Sequence, residues 1–396
     1  MNATEPDLSA RWKRFAEAHW GREPAAVPFA TGLGPEQVYG AVAASCAPPA
    51  EDAAGVRFAT ASQGRLRDAG ALLPGRNDPG PDAYRDRLAR ELAGSGWLLS
   101  VHQPLWRDFG LWARVRELVS GLWRAVGWPT LPVTAELALG EHCTGPDAPA
   151  PRPGSFALTW VLAGSMTVRL WPEHTGTEYQ LAAGTGDLVY WPAGCRHLDH
   201  YLERCTTLRI VVPARRTAAL THVRALLADR MQEDRVYAGA PGVLPFPPPT
   251  DPDGEIGAAE PVAAAARLFA GLAAGPGPAR ELRVAWAARR SAAGLEPAPL
   301  PRPAVPLDPG LRVRASAELF RTPDGPGRAV WAANGHTLAV EGPGAERVRD
   351  QLRSKRAFTI RELARRSRMP AEALIPLLSD LHHIRAIELV DGDGAE

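Results

Sequence analysis

The residues with the clearest capacity for chemistry lie in one short stretch, GDLVYWPAGCRH, from Gly186 to His197. Gly186 is followed by five residues, then Pro192, one residue, Gly194, two residues and His197. Gly186-Asp187 turns the chain, Leu188 to Trp191 reads as a strand, and Pro192-Ala193-Gly194 makes a tight turn. That turn delivers His197 to the next strand, where its imidazole could hold a metal. His197-Leu198-Asp199 is itself a His-x-Asp whose ends share one strand face, with His200 next. A polar strand end with satisfied hydrogen bonds is the favoured account of these residues. Upstream, His142 and Asp147 fall in the loop EHCTGPDAPAPRPG. With His197 they would supply two nitrogens and a carboxylate, although loop ligands lack the fixed geometry of a strand. A loop imidazole and a turn aspartate are the plain alternative. Cys46, Cys143, Cys195 and Cys205 have no CxxC spacing and read as reduced thiols, not a disulfide framework or zinc site.

These residues need a frame to hold them, and the periodicity supplies one. Residues 7–20 have helical period, with Leu8, Trp12, Phe15 and His19 in a stripe. Further helices are predicted over 35–46, about 82–94 and 108–126, with a strand at 97–101 and a loop over 61–82. From Pro132 the period changes to two. VTAELAL, SFALTWVLAGSMTVRLW, TEYQLA, DLVYW, HLDHYL and TTLRIVV are short, regularly spaced strands of a sandwich or barrel, ending near Pro213. Glu136, on the first of them, faces either the interior or solvent. Helices return at 215–232, about 260–273 and 278–292, around a Pro-rich excursion from Pro241 to Pro252. Residues 294–310 have the composition of a stiff, extended linker. RAVWAANGHTLAV reads as a hairpin across Asn334-Gly335, followed by short helices over 344–383 and the strand AIELV, the order of a winged helix-turn-helix.

The 396 residues allow two or three domains. With 45 Lys+Arg against 44 Asp+Glu the net charge is +1, which argues against a chain-wide polyanion binder. Lysine occurs only at Lys13 and Lys355, so the positive charge is nearly all arginine. Arg347 to Arg368 carries nine Lys/Arg and two Asp/Glu, a local balance of +7. A basic helix-turn-helix raises DNA binding, against an arginine-rich solvated face. The N-terminus lacks the basic-then-apolar order of a signal peptide, and no run of about 18 apolar residues exists. A soluble cytoplasmic protein without a membrane span is expected.

The Gly186–His197 spacing resembles the second conserved motif of the cupin superfamily, the double-stranded β-helix. FAEAHWGREPAAVPF (Phe15 to Phe29) and PAGCRHLDHYLERCTTLRIVVP resemble segments of the JmjC-type cupins that hydroxylate ribosomal proteins. The order of barrel, helical segment and winged helix is similar as well, and the resemblance spans nearly the whole chain. It implies an α+β fold: a JmjC-like cupin domain over 1–213 with its barrel at about 132–213, a helical dimerisation segment over 214–293, the linker 294–310 and a winged helix over 311–396. It also implies an iron(II) held by His-x-Asp and a distal His, with positions open for 2-oxoglutarate and oxygen. His197 matches the distal ligand. At the position expected for His-x-Asp stands Pro151-Arg152-Pro153, and prolines cannot ligate. Where a basic anchor for 2-oxoglutarate is expected stands Met166, which by alternation shares a face with Val168 and Leu170, while Arg169 points the other way.

Three functions follow from this pattern. The first is a JmjC/cupin protein that binds a polypeptide partner through a degenerate iron and 2-oxoglutarate site, with Arg152, Tyr190, Trp191 and His200 framing the groove. The second is an oxygenase that hydroxylates a peptide side chain, with iron(II) rebuilt on His197, His142 and Asp147. The third is a winged-helix DNA-binding regulator, disfavoured because the winged helix of the resembled family serves protein substrates. A homodimer through the helices between 215 and 292 is expected in each case.

Overall fold

The computed structural model describes residues 5–47, 55–145, 154–173, 177–214, 260–274 and 276–390, with a few positions between 220 and 228. The first elements are α1 (Glu5–Ala18), β1 (Ala25–Pro28), α2 (Pro35–Cys46), β2 (Val56–Thr60), β3 (Gly64–Arg65), α3 (Pro81–Glu91), β4 (Trp97–His102) and α4 (Phe109–Val126). α4 starts where the Asp108 side chain accepts from Leu111 N at 3.0 Å, a short polar cap before an apolar stripe. That stripe (Leu111, Val115, Leu118, Leu122) is buried, as are Trp12 and Phe15 of α1. The helices meet at Gly121, where an added Cβ would lie 2.4 Å from Trp12 Cδ1. Trp12 Nε1 donates to Leu118 O at 2.7 Å across the same contact.

The strand block comprises β5 (Thr134–Glu141), β6 (Cys143–Thr144), β7 (Ser155–Ala163), β8 (Ser165–Pro172), β9 (Tyr179–Gly184), β10 (Asp187–Trp191), β11 (Cys195–Tyr201) and β12 (Cys205–Pro213). They distribute over two sheets: an eight-stranded one in the order β1-β10-β7-β12-β5-β4-β2-β3, and a four-stranded one in the order β6-β11-β8-β9. Every pairing within them is antiparallel. Successive strands pass back and forth between two sheets whose inner faces enclose one core, which is a double-stranded β-helix. The flanking strands β1, β2 and β3 extend the larger sheet and were not expected from the sequence.

Because strand side chains alternate, the larger sheet serves two cores at once. Leu137, Leu139, Leu158, Trp160, Leu188, Tyr190, Leu208 and Ile210 face the helical layer. Ala138, Ala157, Val161, Val189, Trp191 and Cys205 face the barrel, where they meet Met166, Val168, Leu170, Cys195 and Tyr201 of the smaller sheet. The bulk lies on the helical side. The small residues on the barrel side leave room there for one long side chain.

The C-terminal part comprises α5 (Glu260–Ala274), α6 (Pro276–Ser291), β13 (Arg312–Ala315), β14 (Phe320–Pro323), β15 (Arg328–Ala333), β16 (His336–Glu341), α7 (Gly342–Leu352), β17 (Phe358–Thr359), α8 (Ile360–Ser367), α9 (Ala371–His383) and β18 (Ile387–Val390). Its strands form two three-stranded sheets, β17-β13-β18 and β14-β15-β16. Its own core includes Val313, Trp331, Val348, Leu363, Leu378 and Ile387. The β15–β16 hairpin turns at Asn334-Gly335, both with positive φ as that dipeptide favours. This turn is buried rather than exposed at a tip. Asn334 Oδ1 accepts from Arg116 of α4, its Nδ2 donates to Ile384 O and Arg385 O, and Gly335 N donates to Ser291 Oγ at 2.9 Å. The stretch 294–310 is extended over most of its length, but its start is docked: Leu295 is buried and forms a bridge with Val133. Most of 215–232, and all of Pro241 to Pro252, lie outside the described residues.

Candidate functional site

β11 carries Cys195, His197, Asp199 and Tyr201 toward the barrel and Arg196, Leu198 and His200 away from it, as the period of two requires. Opposite, β12 brings Arg209 inward between two cross-strand partners, Glu136 of β5 and Thr159 of β7. Glu136 therefore stands on the barrel side of the sheet. Arg209 Nη2 donates to Asp199 Oδ2 at 2.7 Å, and Nε donates to Thr159 Oγ1 at 2.8 Å. Nη1 lies 3.5 Å from His197 Nε2. The guanidinium also lies over the Trp191 ring, 5.0 Å from its centroid, and Trp191 packs on the His197 ring at 4.8 Å.

Both charged side chains of this pair are only 8% exposed. Burial by itself pushes the Asp199 carboxyl up, but the Arg209 guanidinium, then His197, outweigh it and hold the group below the usual carboxylate range. Burial likewise opposes the charge on Arg209, and Asp199, followed by Tyr201 and Glu136, pulls its pKa above its ordinary value. The pair stays ionised in the low-dielectric interior, and removing either member would leave the other as an uncompensated buried charge. Asp199 Oδ1 is buried with no hydrogen-bond partner among the described residues.

Of the residues singled out from the sequence, those that are described come together only in part. His197 and Trp191 meet inside the barrel. Tyr190, the next residue to Trp191, points to the opposite side, is fully buried, and accepts from Gly21 N at 2.7 Å. It stacks with Trp20, so it does not frame a groove. His200 is turned outward and its Nδ1 lies 2.9 Å from Thr144 Oγ1. His142 occupies the exposed corner between β5 and β6, with Cys143 beside it taking the inward position. Asp147, Pro151, Arg152 and Pro153 lie outside the described residues. Met166, Val168 and Leu170 share the buried inner face of β8, while Arg169 points outward to Glu178 at 2.6 Å.

The described residues of this barrel do not by themselves complete an iron(II) site. Among them no cluster of three His, Cys, Asp or Glu side chains is arranged to hold a metal. A cation at His197 would sit beside a guanidinium, and the Asp199 carboxylate is already bonded to that guanidinium. The inner position where a basic anchor for 2-oxoglutarate was expected holds the thioether of Met166. Sequence reasoning missed Arg209 and Thr159. Their signal was a charged residue in the apolar run Leu208-Arg209-Ile210-Val211-Val212, where a buried arginine demands a partner.

Strand order thus defines the barrel part as a double-stranded β-helix, elaborated on one sheet by a helical layer. No family model matches the chain, and no curated protein matches it. Among solved structures it is similar to YcfD, a ribosomal oxygenase from Escherichia coli, at 16% identity and a TM-score of 0.49, over 96% of this chain and 98% of that one. A structure of YcfD in complex with cobalt and 2-oxoglutarate is similar at 15% identity and a TM-score of 0.49, over 99% of both chains. An oxalate decarboxylase mutant from Bacillus subtilis is similar over 30% of this chain and 25% of its own, at 18% identity and a TM-score of 0.18. No helix among the described residues is long and apolar enough to cross a membrane.

Proposed function

We propose that this chain uses a JmjC-like cupin barrel to bind a polypeptide partner, with the iron and 2-oxoglutarate site degenerate. The observation that carries the reading is the Arg209–Asp199 pair, which places a buried, ion-paired guanidinium in the barrel interior beside His197. What is left for recognition is the half-buried His197 against Trp191 and the proline-rich sequence that carries Arg152, whose guanidinium suits an acidic or carboxylate-bearing peptide. Prolines lower the entropy such a loop loses on ordering. The reading includes a homodimer through the helices between 215 and 292, supported by the exposed Phe269, Leu282 and Trp286 on α5 and α6. It takes the C-terminal part as a winged helix serving structure and protein contacts rather than DNA. The test is recovery of the bound polypeptide from native cells, followed by binding of that polypeptide to an Arg152→Glu variant and to a variant lacking 146–152. Both should bind more weakly at unchanged thermal stability. Equal binding by both would place recognition elsewhere and sink the groove.

A second reading is favoured by one observation. Asp199 Oδ1 has no hydrogen-bond partner among the described residues, and it shares the inner strand face with His197. A His-x-Asp pair so placed supports an oxygenase with a rebuilt site that hydroxylates a peptide side chain. Metal content of the purified native protein, with succinate release from 2-oxoglutarate as a second readout, separates the two readings. Iron(II)-dependent turnover abolished by His197→Ala would establish the second.

A further inference from the structure

Away from the barrel, a cleft of about 320 Å³ opens between the turn Pro104–Arg107, the first residue of α4 and the extended stretch around Pro299 and Leu300. Two arginines line it from opposite sides of the molecule's division. Arg107 lies over the Trp106 ring with its Cζ 4.4 Å from the centroid, and Arg385 lies over the Phe109 ring at the same 4.4 Å. Stacking on a ring face fixes a guanidinium flat and leaves its N–H edge available. Arg385 spends only Nε, on Leu300 O at 3.3 Å. Behind it stand a further guanidinium and two imidazoles. Arg302 Nη1 is 3.3 Å from His382 Nε2, and His383 Nδ1 contacts Arg302 O.

Several other arginines of this chain are paired with acids: Arg87 with Asp78, Arg280 with Asp324, Arg289 with Glu296, Arg314 with Glu388 and Arg321 with Glu346. Arg107, Arg302 and Arg385 make no ion pair with any described residue. Burial, followed by the charge of Arg302, holds Arg385 below its ordinary value. Burial, then Arg302, Arg385 and His383, does the same to His382. A concentration of positive charge without a counter-charge is costly, and a bound anion relieves the cost.

The geometry points to an oxyanion site in this cleft, taking the carboxylate or phosphate group of a small ligand on the guanidinium edges of Arg107 and Arg385, with the ligand's apolar part against Leu300. Planar bidentate recognition is what stacked guanidinium groups offer to both anions. Because Arg107 belongs to the barrel part and Arg385 to the C-terminal part, the same ligand bridges the two.

The test uses the full chain in chloride buffer at fixed ionic strength. Inorganic phosphate and citrate are titrated separately by calorimetry, which distinguishes the phosphate from the carboxylate source. Saturable binding of one of them is expected. Arg107→Gln and Arg385→Asn should each weaken it at least on the order of tenfold; asparagine tolerates the left-handed backbone of position 385, φ +58°. Leu300→Glu, at a position 65% exposed, places a carboxylate in the cleft without touching either arginine and should also abolish binding. The idea is overturned if neither probe binds beyond the chloride baseline, or if binding survives in Leu300→Glu and in a folded double arginine variant.

Discussion

Arg209 and Asp199 face each other across the barrel at 2.7 Å, from neighbouring strands in sequence that lie in different sheets. The pair ties the two sheets together at the place where the small side chains of Ala157 and Thr159 leave space for a guanidinium. Its value lies less in net stabilisation than in the penalty for disturbing it, since desolvating both charges consumes most of their attraction.

The first prediction follows from that asymmetry. Asp199→Leu or Arg209→Met should each destabilise the fold by about 3–5 kcal/mol, whereas the double change Asp199→Leu with Arg209→Met should cost much less than the sum. Chemical denaturation of the four proteins forms the cycle. Single variants within about 0.5 kcal/mol of the parent would mean the pair is not buried in solution.

The pH dependence has a definite sign. The Asp199 carboxyl is held below its ordinary range in the fold, so the unfolded chain binds the proton more readily. The stability it contributes is complete above the unfolded aspartate value of about 3.9 and is lost as pH falls through the lower native value. Asp199→Asn should therefore flatten the acid limb of a stability-against-pH curve while the neutral region shifts uniformly downward. An unchanged acid limb would remove Asp199 as its source.

The buried hairpin turn should be intolerant of small changes. Gly335 has φ +85°, and a Cβ there would meet Ala298 Cβ at 2.5 Å. Asn334→Ala strips bonds to Arg116, Ile384 and Arg385 and leaves buried groups unpaired. Losses of about 2–4 kcal/mol are expected for Gly335→Ala and for Asn334→Ala. Thermal midpoints close to the parent's would show that the turn is exposed in solution.

Leu282 and Trp286 stand one helical turn apart on α6, 36% and 40% exposed. Leu282→Glu should convert the proposed dimer to a monomer in light scattering, with circular dichroism unchanged. A parent that is already monomeric at micromolar concentration would end that proposal.

Much of the frame was legible because strands of one period announce themselves. The inward set Met166, Val168 and Leu170 and the outward Arg169 follow from alternation alone. So did the turn at Asn334-Gly335, whose positive φ values the residue types favour. Alternation also held the information that Tyr190 and Trp191 cannot share a face, yet aromatic bulk at a presumed mouth drew both into one groove. Arg209 was hidden for a different reason. A local pattern identifies a charged residue in an apolar run but not its partner, and Asp199 approaches only when two sheets close. The short strands Ala25–Pro28 and Gly64–Arg65 owe their existence to an edge already present, which no local propensity records.

The seam between the two halves bears on how this chain can be divided. Trp123 Nε1 donates to Ala293 O at 2.8 Å, Val133 bridges Leu295, and Arg116 reaches the buried Asn334. Each contact joins the barrel half to residues at or beyond 293. A cut in this region would leave an indole, a sheet residue and a guanidinium facing water in one piece, and an unfilled hairpin turn in the other. The halves are thus poor candidates for modular exchange: a tail borrowed from another protein would have to bring its own matching turn. Heat should melt both halves in one calorimetric transition, with the enthalpy of the whole chain.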